Sequence, residues 1–154
     1  MYAHFVMDSP IGRLAIHTCA GKITQVDYAV RNAVTSVLTD PLHKTIKRQL
    51  QAYFTNPATH FTLPLELQGT PFQQKVWQAL QAIPVSQTLS YGELAKRLHT
   101  SARAIGNACR ANPVPLIVPC HRVIAKNHIG GFSGATSGSH IDRKRWLLRH
   151  EGAL

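Results

Sequence analysis

The sequence predicts an α+β protein in two parts: a small antiparallel sheet covered by one helix over residues 1–69, then a mostly helical part with a helix-turn-helix over residues 70–154. Three observations carry that expectation. Short runs with strand character, broken by turn formers, fill the first thirty residues. Two capping boxes mark helix starts after residue 69. Between the parts, Asn56 to Thr70 is punctuated by Pro57, Pro64 and Gly69, which places the linker there although Phe61, Leu63, Leu65 and Leu67 alternate as a strand would.

In chain order, Tyr2 to Met7 and Leu14 to Thr18 read as strands joined by the turn formers Asp8-Ser9-Pro10-Ile11-Gly12, and Ile23 to Val30 reads as a third after Ala20-Gly21. Asp40-Pro41 is a cap followed by a first-turn proline. Leu42, Ile46, Leu50 and Tyr53 then recur at helical spacing, so a helix runs to about Phe54 and covers the sheet. Thr70-Pro71-Phe72-Gln73 opens the next helix, with Phe72, Val76, Leu80 and Ile83 as its apolar stripe, and Ser90-Tyr91-Gly92-Glu93 opens a short one with Leu94, Ala95 and Leu98 inward. A polar turn, His99-Thr100-Ser101, leads into Ala102 to Ala111, and two short helices so joined match a helix-turn-helix. Ala102, Ala104, Gly106, Ala108 and Ala111 are small, with Arg103 and Arg110 between them. Such a face suits either close approach to a groove or a tight helix–helix contact, and only the first uses the arginines. After a Gly- and Ser-rich loop, a last helix over Ile141 to about His150 follows Ser139 and stops at Gly152, with Trp146 and Leu147 or Leu148 as core anchors.

Charged residues make up only 16% of the 154, yet 17 Lys and Arg stand against 7 Asp and Glu, a net charge of +10. Six basic and four acidic residues lie in 1–69, eleven and three in 70–154. Basic residues can merely solubilise a surface, but this asymmetry points to a polyanionic partner for the second part. No apolar run approaches the roughly 18 residues of a membrane span, and MYAHFVMDSP lacks a signal-peptide layout, so a soluble, intracellular protein with no membrane partner is expected. Cys19, Cys109 and Cys120 show no CxxC spacing and cannot all pair, which supports neither a disulfide framework nor a zinc ribbon.

The segment Asn112-Pro-Val-Pro-Leu-Ile-Val-Pro119-Cys120-His121-Arg122-Val123-Ile124 is apolar, proline-pinned and must be largely buried. A thiol beside an imidazole there suggests a nucleophile with a base at hand. Taken alone, the pair favours a structural buried cysteine, and on an extended strand the two side chains would point to opposite faces. Pro119 excludes a standard helix at Cys120 and favours a fixed, irregular presentation. The glycines at 130, 131, 134 and 138 fit neither phosphate-loop spacing.

Taken together, Ser90-Tyr91, Arg103-Ala-Ile-Gly106, Asn112-Pro-Val-Pro, Pro119-Cys120-His121-Arg122-Val123, Gly131-Phe-Ser-Gly134 and Trp146-Leu-Leu-Arg-His-Glu151-Gly152 resemble the O6-alkylguanine-DNA alkyltransferase family. The resemblance spans most of residues 70–154; residues 1–69 fit the family's ribonuclease-H-like amino-terminal domain loosely. It implies a winged helix-turn-helix-like catalytic domain and direct-reversal repair, in which an alkyl group leaves guanine O6, and also thymine O4, for Cys120. By the same matching His121 acts through a water as base, Glu151 orients His121, Asn112 braces the turn carrying the active-site segment, and Tyr91 helps rotate the nucleotide and donates toward the base. Arg103 takes the extruded base's place in the stack, on a helix bearing Ala102, Gly106 and Arg110 that enters the minor groove of double-stranded DNA. The Val123 carbonyl and the backbone around Ser133 read the flipped guanine, and Phe132 stands where some relatives have tyrosine. The reaction implied consumes the protein after one turnover, needs no cofactor, and belongs to a monomer in the cytoplasm or on the nucleoid. Because Cys19 is the only cysteine before residue 109 and His4 and His17 form no convincing ligand set, no metal is expected. Two other classes are a non-catalytic reader of alkylated DNA, which Cys120 argues against, and a Cys-His hydrolase, for which the helix-turn-helix would be superfluous.

Overall fold

A computed structural model describes residues 2–28, 30, 34–126 and 139–154. The chain forms two compact units, residues 1–68 and 69–154. The first is an antiparallel sheet of β1 (Tyr2–Met7), β2 (Leu14–Cys19) and β3 (Lys22–Tyr28) in that order, with α1 (Pro41–Thr55) packed on it. The β2–β3 hairpin is closed by Ala20 and Gly21, both at positive φ (51° and 79°), the conformation that matches a tight turn to the twist of its strands. β2 therefore runs one residue beyond the expected Thr18, and β3 spans Lys22–Tyr28 in place of Ile23–Val30.

The Asp40 carboxylate accepts from the Leu42 and His43 amides and starts α1. α1 buries Ile46, Leu50 and Tyr53 together with Phe5, Met7, Leu14, Ile16 and Ile23 of the sheet. His43, also inward, hydrogen-bonds Thr18 at 2.9 Å and lies 4.8 Å from the Phe5 ring. The alternating segment after residue 60 makes one parallel bridge, Ile23 to Leu65, through Ile23 N–H to Pro64 O (2.8 Å) and Glu66 N–H to Ile23 O (2.9 Å). Pro64 has no amide hydrogen to extend the ladder, which keeps the pairing to that bridge.

The second unit contains α2 (Pro71–Gln81), β4 (Leu89–Ser90), α3 (Tyr91–Arg97), α4 (Ala102–Arg110), a 3-10 turn at Cys120–Arg122, β5 (Val123–Ile124) and α5 (Ser139–His150). Thr70 and Ser90 both make reciprocal capping boxes, with Gln73 and Glu93. β4 and β5 pair in parallel, Leu89 with Val123 and Ser90 with Ile124, which brings the start of α3 beside the end of the cysteine turn. The core holds Val76, Trp77, Leu80, Leu94, Ile105, Val114, Val118, Val123 and Leu147. Two expected anchors differ. Phe72 is half-buried while its neighbour Trp77 is 1% exposed, its indole N–H donating to Ala108 O at 2.9 Å. Trp146 is likewise half-buried and stacks on His150, since Ile141, Lys144, Leu147 and Leu148 take the inward face of α5. That helix also begins two residues before Ile141. Among the described residues no helix is long and apolar enough to cross a membrane.

Candidate active site

Asn112 shapes the approach to the cysteine. Its amide group donates to Val118 O (2.9 Å) and its carbonyl accepts from the Val114 amide (3.0 Å), so one side chain ties both ends of the loop. Within that loop Leu116 is held at φ +75°, an unfavourable backbone for a branched residue that burial of residues 114–120 holds in place.

Cys120 opens a 3-10 turn rather than sitting on an extended strand. Pro119 cannot donate but can accept, and Arg122 N–H bonds its carbonyl at 3.0 Å, while Val123 N–H bonds Cys120 O. The curl is an irregular presentation of the kind Pro119 favours, so the divergence of neighbouring side chains on an extended strand does not apply to Cys120 and His121. Both are buried, Cys120 at 7% exposure and His121 at 0%.

His121 Nε2 lies 2.8 Å from Glu151 Oε2. Because a carboxylate only accepts, Nε2 carries the hydrogen and Nδ1 the lone pair of a neutral ring. Burial favours that neutral state, lowering the imidazole below its ordinary range against the pull of Glu151. Nδ1 is buried and has no hydrogen-bond partner among the described residues. Glu151 is fixed from its other side by Arg122, through Nε to Oε1 at 2.8 Å and Nη2 to Oε2 at 3.0 Å, and Arg122 Nη1 donates to Ile83 O at 2.6 Å. The carboxylate is thus a buried, fully occupied hinge between α5 and the cysteine turn.

Burial pushes the Cys120 thiol up, opposed by its hydrogen bond with Asn112 and by the charge of Lys144. Burial likewise holds Tyr91 up at about 12 and Cys109, on the last turn of α4, at about 12. At neutral pH the tyrosine is a proton donor, and the cysteine needs a base. Lys144 is 0% exposed; its Nζ donates to Val123 O at 2.8 Å and sits 5.8 Å from the Tyr91 ring centroid.

On α4, Ser101 caps the helix through the Ala104 amide, and Ile105 and Ala108 face inward. Ala102, Arg103, Asn107 and Arg110 are exposed around a partly exposed Gly106, where an added Cβ would meet nothing. Internal packing therefore does not demand the glycine.

The structure brings Cys120, His121, Glu151, Asn112 and Val123 into one bonded network and places Ala102, Arg103, Gly106 and Arg110 along an open helix face. Phe132 and Ser133 lie outside the described residues. Sequence reasoning missed Lys144 and gave Arg122 no role. The signal existed, since Ile141, Lys144, Leu148 and Glu151 recur at helical spacing, putting two charged residues on an apolar stripe. No group of three or more His, Cys, Asp or Glu side chains suited to a metal occurs among the described residues.

Comparison with known proteins gives matches over both units. Residues 71–153 match the family described as 6-O-methylguanine DNA methyltransferase, DNA binding domain, and residues 1–67 match its ribonuclease-like domain. The methylated-DNA–protein-cysteine methyltransferase of Salmonella typhimurium is 50% identical over 109 residues, 69% of this chain; the match spans 61% of that relative's own length. The constitutive enzyme of that name from Bacillus subtilis is 39% identical over 155 residues, covering 94% of this chain and 92% of its own. Among solved structures, Mycobacterium tuberculosis OGT in complex with DNA superposes with a TM-score of 0.82 at 39% identity, over 97% of this chain and 92% of that one.

Proposed function

The chain belongs to the 6-O-methylguanine DNA methyltransferase family, and on that premise we propose that it repairs DNA by direct reversal, transferring a methyl or larger alkyl group from guanine O6, and from thymine O4, to Cys120. The observation that carries this reading is the His121–Glu151 bond, which leaves a buried Nδ1, without a partner among the described residues, in the same turn as the thiol.

Through a bridging water, His121 Nδ1 takes the Cys120 proton. The sulfur lone pair then forms a bond to the alkyl carbon, the carbon–O6 bond breaks, and its electron pair leaves with guanine, toward which the neutral Tyr91 hydroxyl donates a proton. The imidazolium that forms is stabilised by Glu151, whose own charge Arg122 keeps in place. A base within a duplex cannot present O6 to a buried thiol, so it is extruded, at a cost of a few kcal/mol. Arg103 fills the gap from the open face of α4, while Gly106 and Ala102 let that helix lie close in the minor groove and Arg110 meets phosphate. The Val123 carbonyl reads the guanine edge.

The test is the intact mass of the protein after incubation with duplex carrying O6-methylguanine, for the native chain and Cys120→Ser. One methyl per native molecule on the Cys120 peptide, none on the variant, and retained binding of modified DNA by the variant are expected. Transfer by Cys120→Ser would overturn the assignment; binding with no transfer by the native chain would favour a non-catalytic reader, and repeated turnover a hydrolase.

A further inference from the structure

We propose that the solvent face of α1 is a second contact surface for DNA, on which Lys44, Lys47 and Arg48 meet phosphates of the duplex backbone beside the contacts proposed for α4. This goes beyond the repair reading and shares with it only DNA as the partner. The near balance of charge in residues 1–69 conceals the patch, because each of the four acidic side chains there is engaged elsewhere. Asp8 pairs with Arg13 at 3.0 Å, Glu66 with Lys22 at 3.2 Å and Asp27 with His17 at 2.8 Å, while Asp40 caps α1 through the Leu42 and His43 amides. Of the six basic residues, Arg13 and Lys22 are thereby neutralised, and Arg31 lies outside the described residues. The other three fall together on α1, and none of their side chains has an ion pair among the described residues.

Helix stability does not account for them. α1 holds no acidic residue, so no pair forms at i,i+3 or i,i+4 within it, and none of the three cations stands in the last turn, where it would complement the helix dipole. Their spacing instead sets them on one face, away from the buried Ile46, Leu50 and Tyr53, with Lys44 and Arg48 exposed and Lys47 half-buried. Gln51 and Thr55 continue that face as exposed, uncharged polar residues. Lys44 to Arg48 covers about 6 Å of helix axis, over which one DNA strand presents about two phosphates. Cations without a counter-charge of their own neutralise phosphates and release the ions condensed on them. The face carries no Trp, Phe or Leu with which a helix enters a lipid surface, nor the aromatic anchors that carry protein recognition. A phosphodiester backbone asks for neither.

The test compares the native chain with the triple variant Lys44→Gln, Lys47→Gln, Arg48→Gln by fluorescence anisotropy across a salt series. One O6-methylguanine duplex is just long enough for a single helix-turn-helix, and another is several helical turns longer. The variant should lose about two from the slope of log affinity against log salt, at about 0.9 per phosphate, and bind roughly tenfold more weakly at low salt. Loss on the long duplex alone places the phosphates beyond the stretch under α4, and loss on both places them within it. Reaction with free O6-benzylguanine should stay near native. The double variant Arg13→Gln, Lys22→Gln, which removes two cations already paired, should leave the slope unchanged. An unmoved slope in the triple variant on both duplexes would overturn the proposal, as would an equal drop per charge in the double variant, which would trace the loss to net charge. A matching loss with the free base would assign the three residues to folding and overturn it too. Binding of phosphatidylserine vesicles that depends on the three cations, beside an unmoved DNA slope, would give the face to a membrane instead. A native chain that shows the expected slope change on losing these cations, yet removes no methyl from DNA, would refute the repair reading and leave the surface standing.

Discussion

Gly152, at φ +75°, ends α5 in the left-handed conformation directly after Glu151, whose carboxylate lies 2.8 Å from His121 Nε2. The Gly152 amide bonds Arg149 O and the Ala153 amide bonds Leu148 O, the paired closing bonds of a Schellman motif with Glu151 at the cap. An added Cβ would meet no atom within 4 Å, so only backbone strain opposes a side chain there.

Gly152→Ala should therefore cost about 1–2 kcal/mol, a fall of several degrees in Tm by calorimetry, and should slow alkyl transfer as the cap relaxes and Glu151 leaves His121. Gly152→Asn, better suited to this conformation, should lose less of both. Equal losses in the two variants would show that the left-handed backbone is not what the site requires.

Much of this architecture was legible because it is local. Capping boxes at Thr70 and Ser90, the Asp40 cap and the spacing of Ile46, Leu50 and Tyr53 depend on neighbours within a few residues, and the sequence states them openly. An irregular backbone at Cys120 was legible from Pro119, but its 3-10 form was not, because the segment is also tied by the distant Asn112–Val118 bond. Lys144 was passed over because a lone lysine on a basic helix reads as surface; its burial depends on the Val123 carbonyl, twenty-one residues away. Trp77 escaped for the same reason, its indole partner Ala108 lying thirty-one residues on.

Gly69 tests that packing. A Cβ at this position would stand 2.5 Å from the Trp77 ring and 2.7 Å from Gln73 Oε1. The ring is buried and cannot yield as a flexible chain end would. Gly69→Ala should thus destabilise the protein by about 1–3 kcal/mol, the usual range for overpacking, read as a lowered midpoint in chemical denaturation with unchanged slope. A midpoint within error of the native one would mean the indole moves freely.

Neutral His121 makes a pH prediction whose sign is fixed. Its folded-state affinity for protons is lowered below the ordinary imidazole value of 6.5, so the unfolded chain binds the extra proton first. The contribution is present above about pH 6.5 and is lost as pH falls toward the lower folded value. Unfolding free energy measured from pH 8 to 5 should decline in the native protein across that window and decline less in His121→Gln. Transfer rates should hold through that window and fall only as pH nears the lower folded value, where the ring becomes protonated and accepts nothing from Cys120. A native curve that is flat between pH 7 and 5.5 would exclude the buried neutral imidazole.

Arg103 should separate extrusion from chemistry. It stands exposed on the open face of α4, on a different element from the thiol. Arg103→Ala should slow repair of methylated duplex by at least about tenfold, because extrusion costs a few kcal/mol that the arginine offsets, while reaction with free O6-benzylguanine stays near native. Equal losses on both substrates would end its role in the stack.

Alkylation itself should loosen the second unit. Cys120 is 7% exposed in a segment buried from Val114 to His121, pinned by Pro119 and by the two Asn112 bonds, so a new alkyl group should press on its surroundings. Added methylenes in a packed core typically cost about 1–3 kcal/mol. The thioether formed is not open to thiol exchange, unlike a disulfide, so the loss is permanent and the protein acts once. Protein titrated with excess methylated duplex should remove one methyl per molecule, carry it on Cys120, and melt several degrees below the unreacted form in the same buffer. The shift should grow from methyl to benzyl adducts, because a larger group displaces more of the packing. An alkylated protein that melts with the native one would place the group in open space, and label on Cys19 or Cys109 would move the nucleophile elsewhere.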